Sequence, residues 1–391
     1  MSFFSVAGEP SGDLLGAALM RGLKDETGGR VKFRGIGGPE MAREGLVSLF
    51  DMSELSVMGV AEILPRLPSL LRRISGTAEA VLSDPPDAVI TIDSPDFGLR
   101  VARKVKAARR DLPVIHYVAP SVWAWRPQRA KKMARCVDHV LALLPFEPPY
   151  MTAAGMTCDF VGHPVAARPE VSDYAVAKFF ESLGLPRDRK ILLLLPGSRK
   201  GELRRMGPLH AEVARMMLKR EPDLSLVIPG AAPVMAEVRE RFDTPELHPI
   251  IIDPTRGDPE LAEKRKRAAF AAATVAFATS GTVSLELAAA GTPMVIAYKA
   301  NALTAMLVRK LIRIDTATLV NLVSDTRTVP EFFQEAATAE NVVPVLADIL
   351  RNPDAAAGQL AAAKKTMQLL GRGDIAPGVR AAKSVLAAIT R

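Results

Sequence analysis

Ile191-Leu192-Leu193-Leu194-Leu195 is a run of five apolar residues that stops at Pro196-Gly197-Ser198-Arg199. The design recurs downstream, where Val275-Ala276-Phe277-Ala278 stops at Thr279-Ser280-Gly281-Thr282 and Leu285-Glu286-Leu287 follows on a helical pattern. A buried strand that ends in small residues and turns into a helix presents unpaired backbone N–H groups and a partial positive charge, which together make an anion site. Two such strand ends in one half of the chain point to a phosphate-bearing ligand gripped without a Walker lysine. Arg199, at the start of a helix, is placed to bridge phosphate oxygens where other proteins use a metal. Gly197, Ser198, Ser280, Gly281 and Thr282 offer N–H groups and hydroxyls, and Glu286, one turn after Thr282 on the same helical face, is placed to hold a ribose diol.

Working outward from these two strands, similar apolar runs alternate with helical patterns along the chain. They fall at residues 3–7, 31–35, 88–92, 114–118, 140–144, 191–195, 224–228, 250–252, 275–278 and 294–297. Continuous apolar strands separated by helices predict parallel sheets covered on both faces, in two doubly wound α/β domains of about five strands each. The rhythm is weakest over residues 164–173 (PVAARPEVSD), where the domain boundary is placed. The alanine-rich tail breaks at Gly371-Arg372-Gly373 and resumes with Val379, Ala382, Val385, Leu386 and Ile389 on one face, a helix that needs a surface to cover.

Length and composition fit this picture. The 391 residues are enough for two domains with their own cores, and 48% hydrophobic with 24% charged residues is ordinary for a globular protein. The net charge of +8 favours an acidic partner: nucleic acid, anionic lipid or a phosphorylated substrate. Two cysteines, Cys136 and Cys158, make neither a disulfide framework nor a metal cluster, and a reducing compartment is expected. The first residues lack the basic region of a signal peptide. Residues 268–285 carry one charge-free stretch long enough to raise the question of a membrane span, but they are rich in Ala, Thr, Ser and Gly and contain a turn.

In open α/β sheets the chemistry lies beyond the carboxyl ends of the strands. The first strand runs into Gly8-Glu9-Pro10-Ser11-Gly12-Asp13, where Ser11 is expected to cap the next helix and Glu9 and Asp13 to set carboxylates at the edge of the site. The third ends at Ile92-Asp93-Ser94-Pro95-Asp96-Phe97, with Asp93 as a proton acceptor for a hydroxyl and Asp96 as a helix cap. The next loop holds both tryptophans, Trp123 and Trp125, followed by Arg126, and tryptophan offers a sugar ring a flat apolar face. Residues 57–73 mix apolar residues, arginines and prolines, and read either as a kinked core helix or as a surface that rests on a membrane. Arg34-Gly35-Ile36-Gly37-Gly38-Pro39 fails the dinucleotide fingerprint, because Glu40 stands where its last glycine should be.

Taken in order, GEPSGD (8–13), IDSPDF (92–97), HYVAPSVWAWRPQR (116–129), VGHP (161–164), LLPGSRKGE (194–202), TSGTVSLE (279–286) and Val320-Asn321-Leu322 resemble the lipid-A-disaccharide synthases of Gram-negative bacteria. The resemblance implies a GT-B fold, two Rossmann-like domains facing across a cleft. Residues 1–167 with a C-terminal helix over about 375–391 would bind the acceptor, and residues 168–374 the UDP-sugar. It implies an inverting transfer from UDP-2,3-diacylglucosamine to 2,3-diacylglucosamine 1-phosphate, giving a β-1,6-linked disaccharide phosphate and UDP, with no metal or other cofactor. Asp93 would be the general base, Arg199 would stabilise the leaving diphosphate, and Asn321 falls at another functional position of the family. Glu9, Ser11 and Asp13 fall on its first signature loop, without individual roles. The partners implied are the two acylated sugars and the lipids of the inner-membrane surface rather than nucleic acid. The protein would be cytoplasmic and peripheral on that membrane, with room for a homodimer that swaps the last helix. Two alternatives stand beside this reading. One is another GT-B enzyme, such as a UDP-N-acetylglucosamine 2-epimerase or a peptidoglycan glycosyltransferase. The other is a basic nucleotide- or RNA-binding protein, which predicts salt-sensitive nucleic-acid binding.

Overall fold

A computed structural model describes residues 1–55, 60–125, 127–301 and 315–390, without the side chains of residues 60–67 and 353. The chain divides into two compact units, Met1–Ala167 with Leu370–Arg391, and Arg168–Leu369. Each is built on one parallel sheet.

The first unit's strands are β1 (Ser2–Ala7), β2 (Lys32–Ile36), β3 (Val47–Ser48), β4 (Ala88–Ile92), β5 (Val114–Tyr117), β6 (His139–Ala142) and β7 (Thr157–Phe160), in the order β3-β2-β1-β4-β5-β6-β7. The second unit has β8 (Ile191–Leu195), β9 (Ser225–Pro229), β10 (Ile250–Ile252), β11 (Val275–Thr279), β12 (Met294–Tyr298) and β13 (Glu331–Phe333), in the order β10-β9-β8-β11-β12-β13. Every residue of β4, β8 and β11 is buried. Successive strand residues point to opposite faces, so burial without alternation means that both faces of each sheet are covered. The chain direction across each sheet reverses once, between β1 and β4 and between β8 and β11. A doubly wound sheet opens its ligand crevice at that reversal.

Three strands escape the hydrophobic pattern: β3, β7 and β13. All three are sheet edges. Val47 of β3 is 82% exposed, β7 alternates exposed and half-buried residues, and β13 is half-buried throughout. An edge strand has a neighbour on one side only and does not need a continuous apolar run.

The tail helix Pro377–Ile389 packs in the first unit, with Ala381, Ala382 and Val385 fully buried in its core and Leu386 and Ile389 at the margin. Its buried face is shifted from the expected one: Ala381 and Ser384 are inside, and Val379 is half-exposed. Ser384 explains the shift. Its hydroxyl donates to Asp159 Oδ2 at 2.7 Å and lies 2.7 Å from His139 Nε2, while Arg380 donates to the Phe160 carbonyl at 2.9 Å. These bonds pin the helix to β6 and β7. Among the described residues no helix is long and apolar enough to cross a membrane.

Candidate functional site

In the second unit, the β8–β11 reversal brings the strand-end turns at Pro196–Arg199 and Thr279–Thr282 side by side. They form one wall of a cavity of about 440 Å³, within the size range of small-ligand sites. Gly197 adopts φ 121°, and a Cβ there would sit 2.7 Å from Glu202 Cβ, so the turn into the helix Lys200–Arg220 requires glycine. Arg199 is the N-cap residue of that helix. Thr282 is the N-cap residue of the helix Val283–Ala290, which starts from the end of β11. Gly197, Ser198, Arg199, Ser280, Gly281, Thr282 and Glu286 all line the cavity. Thr279 Oγ1, on the same wall, is buried and has no hydrogen-bond partner among the described residues.

Two charged residues come with these turns that the sequence reading did not assign. Glu202 accepts the Ser198 N–H at 3.2 Å through Oε2 and the Arg199 guanidinium at 3.0 Å through Oε1. Its carboxylate therefore occupies the donors that a phosphate would use. The i, i+3 spacing of Arg199 and Glu202 is the sequence signal for this pair. Lys266 donates to Glu286 Oε2 at 2.8 Å. The two residues are far apart in sequence on different helices, and no local pattern announces the contact.

In the first unit the β1–β4 reversal does the same for GEPSGD and IDSPDF. Asp93 and Ser94 both have positive φ, 50° and 40°, a strained conformation for residues other than glycine that turns the chain sharply into the helix Pro95–Ala108. Ser11 Oγ donates to Asp93 Oδ2 at 3.2 Å, and the Ser94 N–H to Oδ1 at 2.9 Å, which fixes the carboxylate's orientation. Gly8 permits the approach, because a Cβ there would lie 2.6 Å from Ser94 Oγ. Ser11 is thus a partner of Asp93 and not a cap; the N-cap position belongs to Glu9. Asp96 likewise caps nothing. Ser94 holds the cap position and Asp96 sits exposed in the first turn, where its charge suits the helix dipole.

Asp13 is a correction. It is 2% exposed, and its carboxylate accepts the N–H groups of Gly38, Glu40 and Met41 at 2.9, 2.9 and 3.0 Å. It caps the helix Pro39–Arg43 from the first turn of the neighbouring helix Pro10–Thr27 and has no face left for substrate. Asn321 is a second correction. It is 1% exposed, does not line the cavity, and its amide is used by Thr316 Oγ1 and by both the N–H and the carbonyl of Val329. It holds the loop ahead of β13 in place.

Of the tryptophan loop, Trp123 is half-buried, edge-on to Phe146 with ring centroids 5.1 Å apart, and its indole N–H donates to Glu147 Oε1 at 3.3 Å. Trp125 is half-buried as well. Glu147 was not foreseen. It is 4% exposed, also accepts the N–H groups of Leu143 and Leu144, and burial pushes its carboxyl up to about 7. His116, at the base of this loop, is fully buried against Thr91 Oγ1 at 2.7 Å, and burial lowers it to about 4, so it is neutral at physiological pH. Arg126 lies outside the described residues, as do residues 56–59 of the segment 57–73 and the side chains through 67. Of the remainder, Leu70 packs on the core, Leu71 is 46% exposed, and Arg73 forms a two-pronged pair with Glu54.

Residues 3–384 match the profile of the lipid-A-disaccharide synthetase family. The lipid-A-disaccharide synthase of Ruegeria pomeroyi is 54% identical over 99% of this chain and 95% of its own, and that of Rhodospirillum centenum 43% over 99% and 94%. Among solved structures, the UDP-GlcNAc 2-epimerase of Neisseria meningitidis bound to UDP-GlcNAc aligns over the whole of both chains with a TM-score of 0.60 at 12% identity. The enzyme from Methanocaldococcus jannaschii, in complex with UDP-GlcNAc and UDP, aligns over 99% of each with the same score and identity. At that identity the likeness speaks for the fold alone.

Proposed function

The chain belongs to the lipid-A-disaccharide synthetase family and is a glycosyltransferase of GT-B fold, and from that premise we propose its substrates and the residues that act on them. The donor is UDP-2,3-diacylglucosamine, held by the Arg168–Leu369 unit. The acceptor is 2,3-diacylglucosamine 1-phosphate, and its 6-hydroxyl gives up a proton to Asp93. The resulting oxygen attacks the anomeric carbon, the bond to the diphosphate breaks on the opposite side, and UDP departs with its electron pair. The products are the β-1,6-linked disaccharide 1-phosphate, UDP and the proton on Asp93.

The observation that supports this best is the cavity at the β8–β11 reversal, where two helix N-termini and Arg199 meet. Fixed donors aimed where charge develops on a leaving group are the largest contribution to catalysis available without a metal. For Arg199 to reach the diphosphate it exchanges its bond to Glu202 for one to the ligand. Glu286 takes the ribose. Ser11 and Ser94 orient Asp93 for the acceptor.

Both substrates carry acyl chains, so the enzyme works in the cytoplasm at the inner-membrane surface, with the segment 57–73 resting on its lipids. Replacing Leu64, Leu67 and Leu71 by serine should then reduce co-sedimentation with anionic vesicles; unchanged sedimentation removes that part of the reading. The reaction itself is tested by UDP release from the acylated donor. Release only when the acylated acceptor is also present is the expected result. Release from donor alone at the same rate, or conversion of the donor to its 2-epimer, refutes it.

A further inference from the structure

Glu286 is not a solitary carboxylate on the cavity wall. Lys266 Nζ lies 2.8 Å from its Oε2, and Arg168 Nη1 lies 3.7 Å from the same oxygen. Oε1 has no partner among the described residues. Lys266 is itself held in place. It sits 5.4 Å from the centre of the Phe270 ring, one turn along its own helix, and 3.7 Å from Glu263 Oε2. Glu263 also pairs with Arg168 at 3.7 Å. The guanidinium of Arg267 donates to the Pro169 carbonyl, which ties the segment carrying Arg168 to the same helix. The result is a four-residue ion cluster, two cations and two anions, in which Arg168, Lys266 and Glu286 are half-buried and Glu263 is exposed, and it lies beside the proposed ribose position.

We propose that Lys266, with Arg168 behind it, is the positioning residue that makes this pocket selective for a ribonucleotide. The inference rests on the reading that Glu286 takes the ribose diol. A glutamate carboxyl rotates freely about its last torsion, and binding would have to arrest that rotation. With Oε2 occupied by both cations, the rotation is already arrested and Oε1 is presented as an open acceptor. A site built to accept a ligand hydroxyl rejects the analogue that lacks it, because the acceptor is then left unsatisfied. Loosening Glu286 should therefore erode discrimination rather than affinity in general.

The test is calorimetric binding of UDP, 2′-deoxy-UDP and 3′-deoxy-UDP to the full-length protein and to Lys266→Met, Lys266→Arg and Glu286→Gln, with Lys266→Gln in reserve should the Met variant unfold. Wild type should prefer UDP over at least one deoxy analogue by about tenfold, the worth of one hydrogen bond to a carboxylate. In Lys266→Met, UDP should weaken by about that factor while that analogue is unchanged, and Lys266→Arg should restore the preference. If Lys266→Met weakens every nucleotide equally, or none, Lys266 does not position Glu286 and the proposal falls. Glu286→Gln separates the two layers. If it abolishes the preference while Lys266→Met retains it, the ribose reading survives and the positioning role does not. If it leaves the preference intact, both are wrong.

Discussion

Glu147→Gln should change how the stability of the first unit depends on pH. Glu147 is almost wholly buried at the end of β6, and burial raises its carboxyl from an ordinary 4.5 to about 7, against the opposing pull of three hydrogen-bond donors. A folded-state value above the unfolded one means that the folded protein holds the proton more tightly. The stability this group contributes is full below pH 4.5 and is lost as pH rises through 7. With one unit worth about 1.4 kcal/mol, ionising Glu147 costs the folded state about 1.4 kcal/mol at pH 5.5 and about 3.4 kcal/mol at pH 8. The Gln variant carries no such charge, so it should gain about 2 kcal/mol on wild type between those two pH values. Urea unfolding followed by tryptophan fluorescence is the assay. The protein's two tryptophans, Trp123 and Trp125, both lie in the first unit, so the signal reports that unit without assuming that the whole chain unfolds in one step. Parallel stability curves for the two proteins across this range would show that Glu147 ionises normally, and the burial argument would be wrong.

Three further outcomes follow from the same geometry. Asp13→Ala leaves three backbone N–H groups of a partly buried helix start without their acceptor, and should lower the stability of the first unit by about 3 kcal/mol while UDP affinity is unchanged; a change in UDP affinity with unaltered stability would return Asp13 to the substrate. Gly8→Ala drives a methyl group to within 2.8 Å of Ser94 Cβ and displaces the Asp93 turn. Turnover in the disaccharide assay should fall about 100-fold with little change in UDP binding, since misplacing a catalytic group by an ångström has that effect. Asp93→Asn should lower turnover by about 10²- to 10⁴-fold, again without loss of UDP binding; near-normal turnover would move the search for the base to Glu9 or Asp96.

Much of the architecture is legible in the chain because the central strands are buried on both faces and must be apolar at every position. Ile191–Leu195 and Val275–Thr279 announce themselves for that reason, and the small residues that follow them announce turns. The ordered run of signature segments is enough to place the family. Of the four edge strands only β10, Ile250–Ile252, leaves such a mark, and polar side chains leave none of their destination. Asp13 and Asp93 look alike in sequence, each at a strand-end loop, yet one is saturated by a neighbouring helix start and the other is held open by a serine on each side. Asn321 reads as a site residue and is spent on a loop.

What the sequence by itself determined is the set of strand-end turns and the family to which the chain belongs, because those depend on local chain chemistry. What only the tertiary structure decided is which turns meet. The strand order places β8 beside β11 and β1 beside β4, so that residues 80 or more apart form single walls, and it brings Lys266 to Glu286 and Glu147 to Trp123. Those partnerships are set by how helices pack on a finished sheet, a long-range property that no stretch of neighbouring residues encodes.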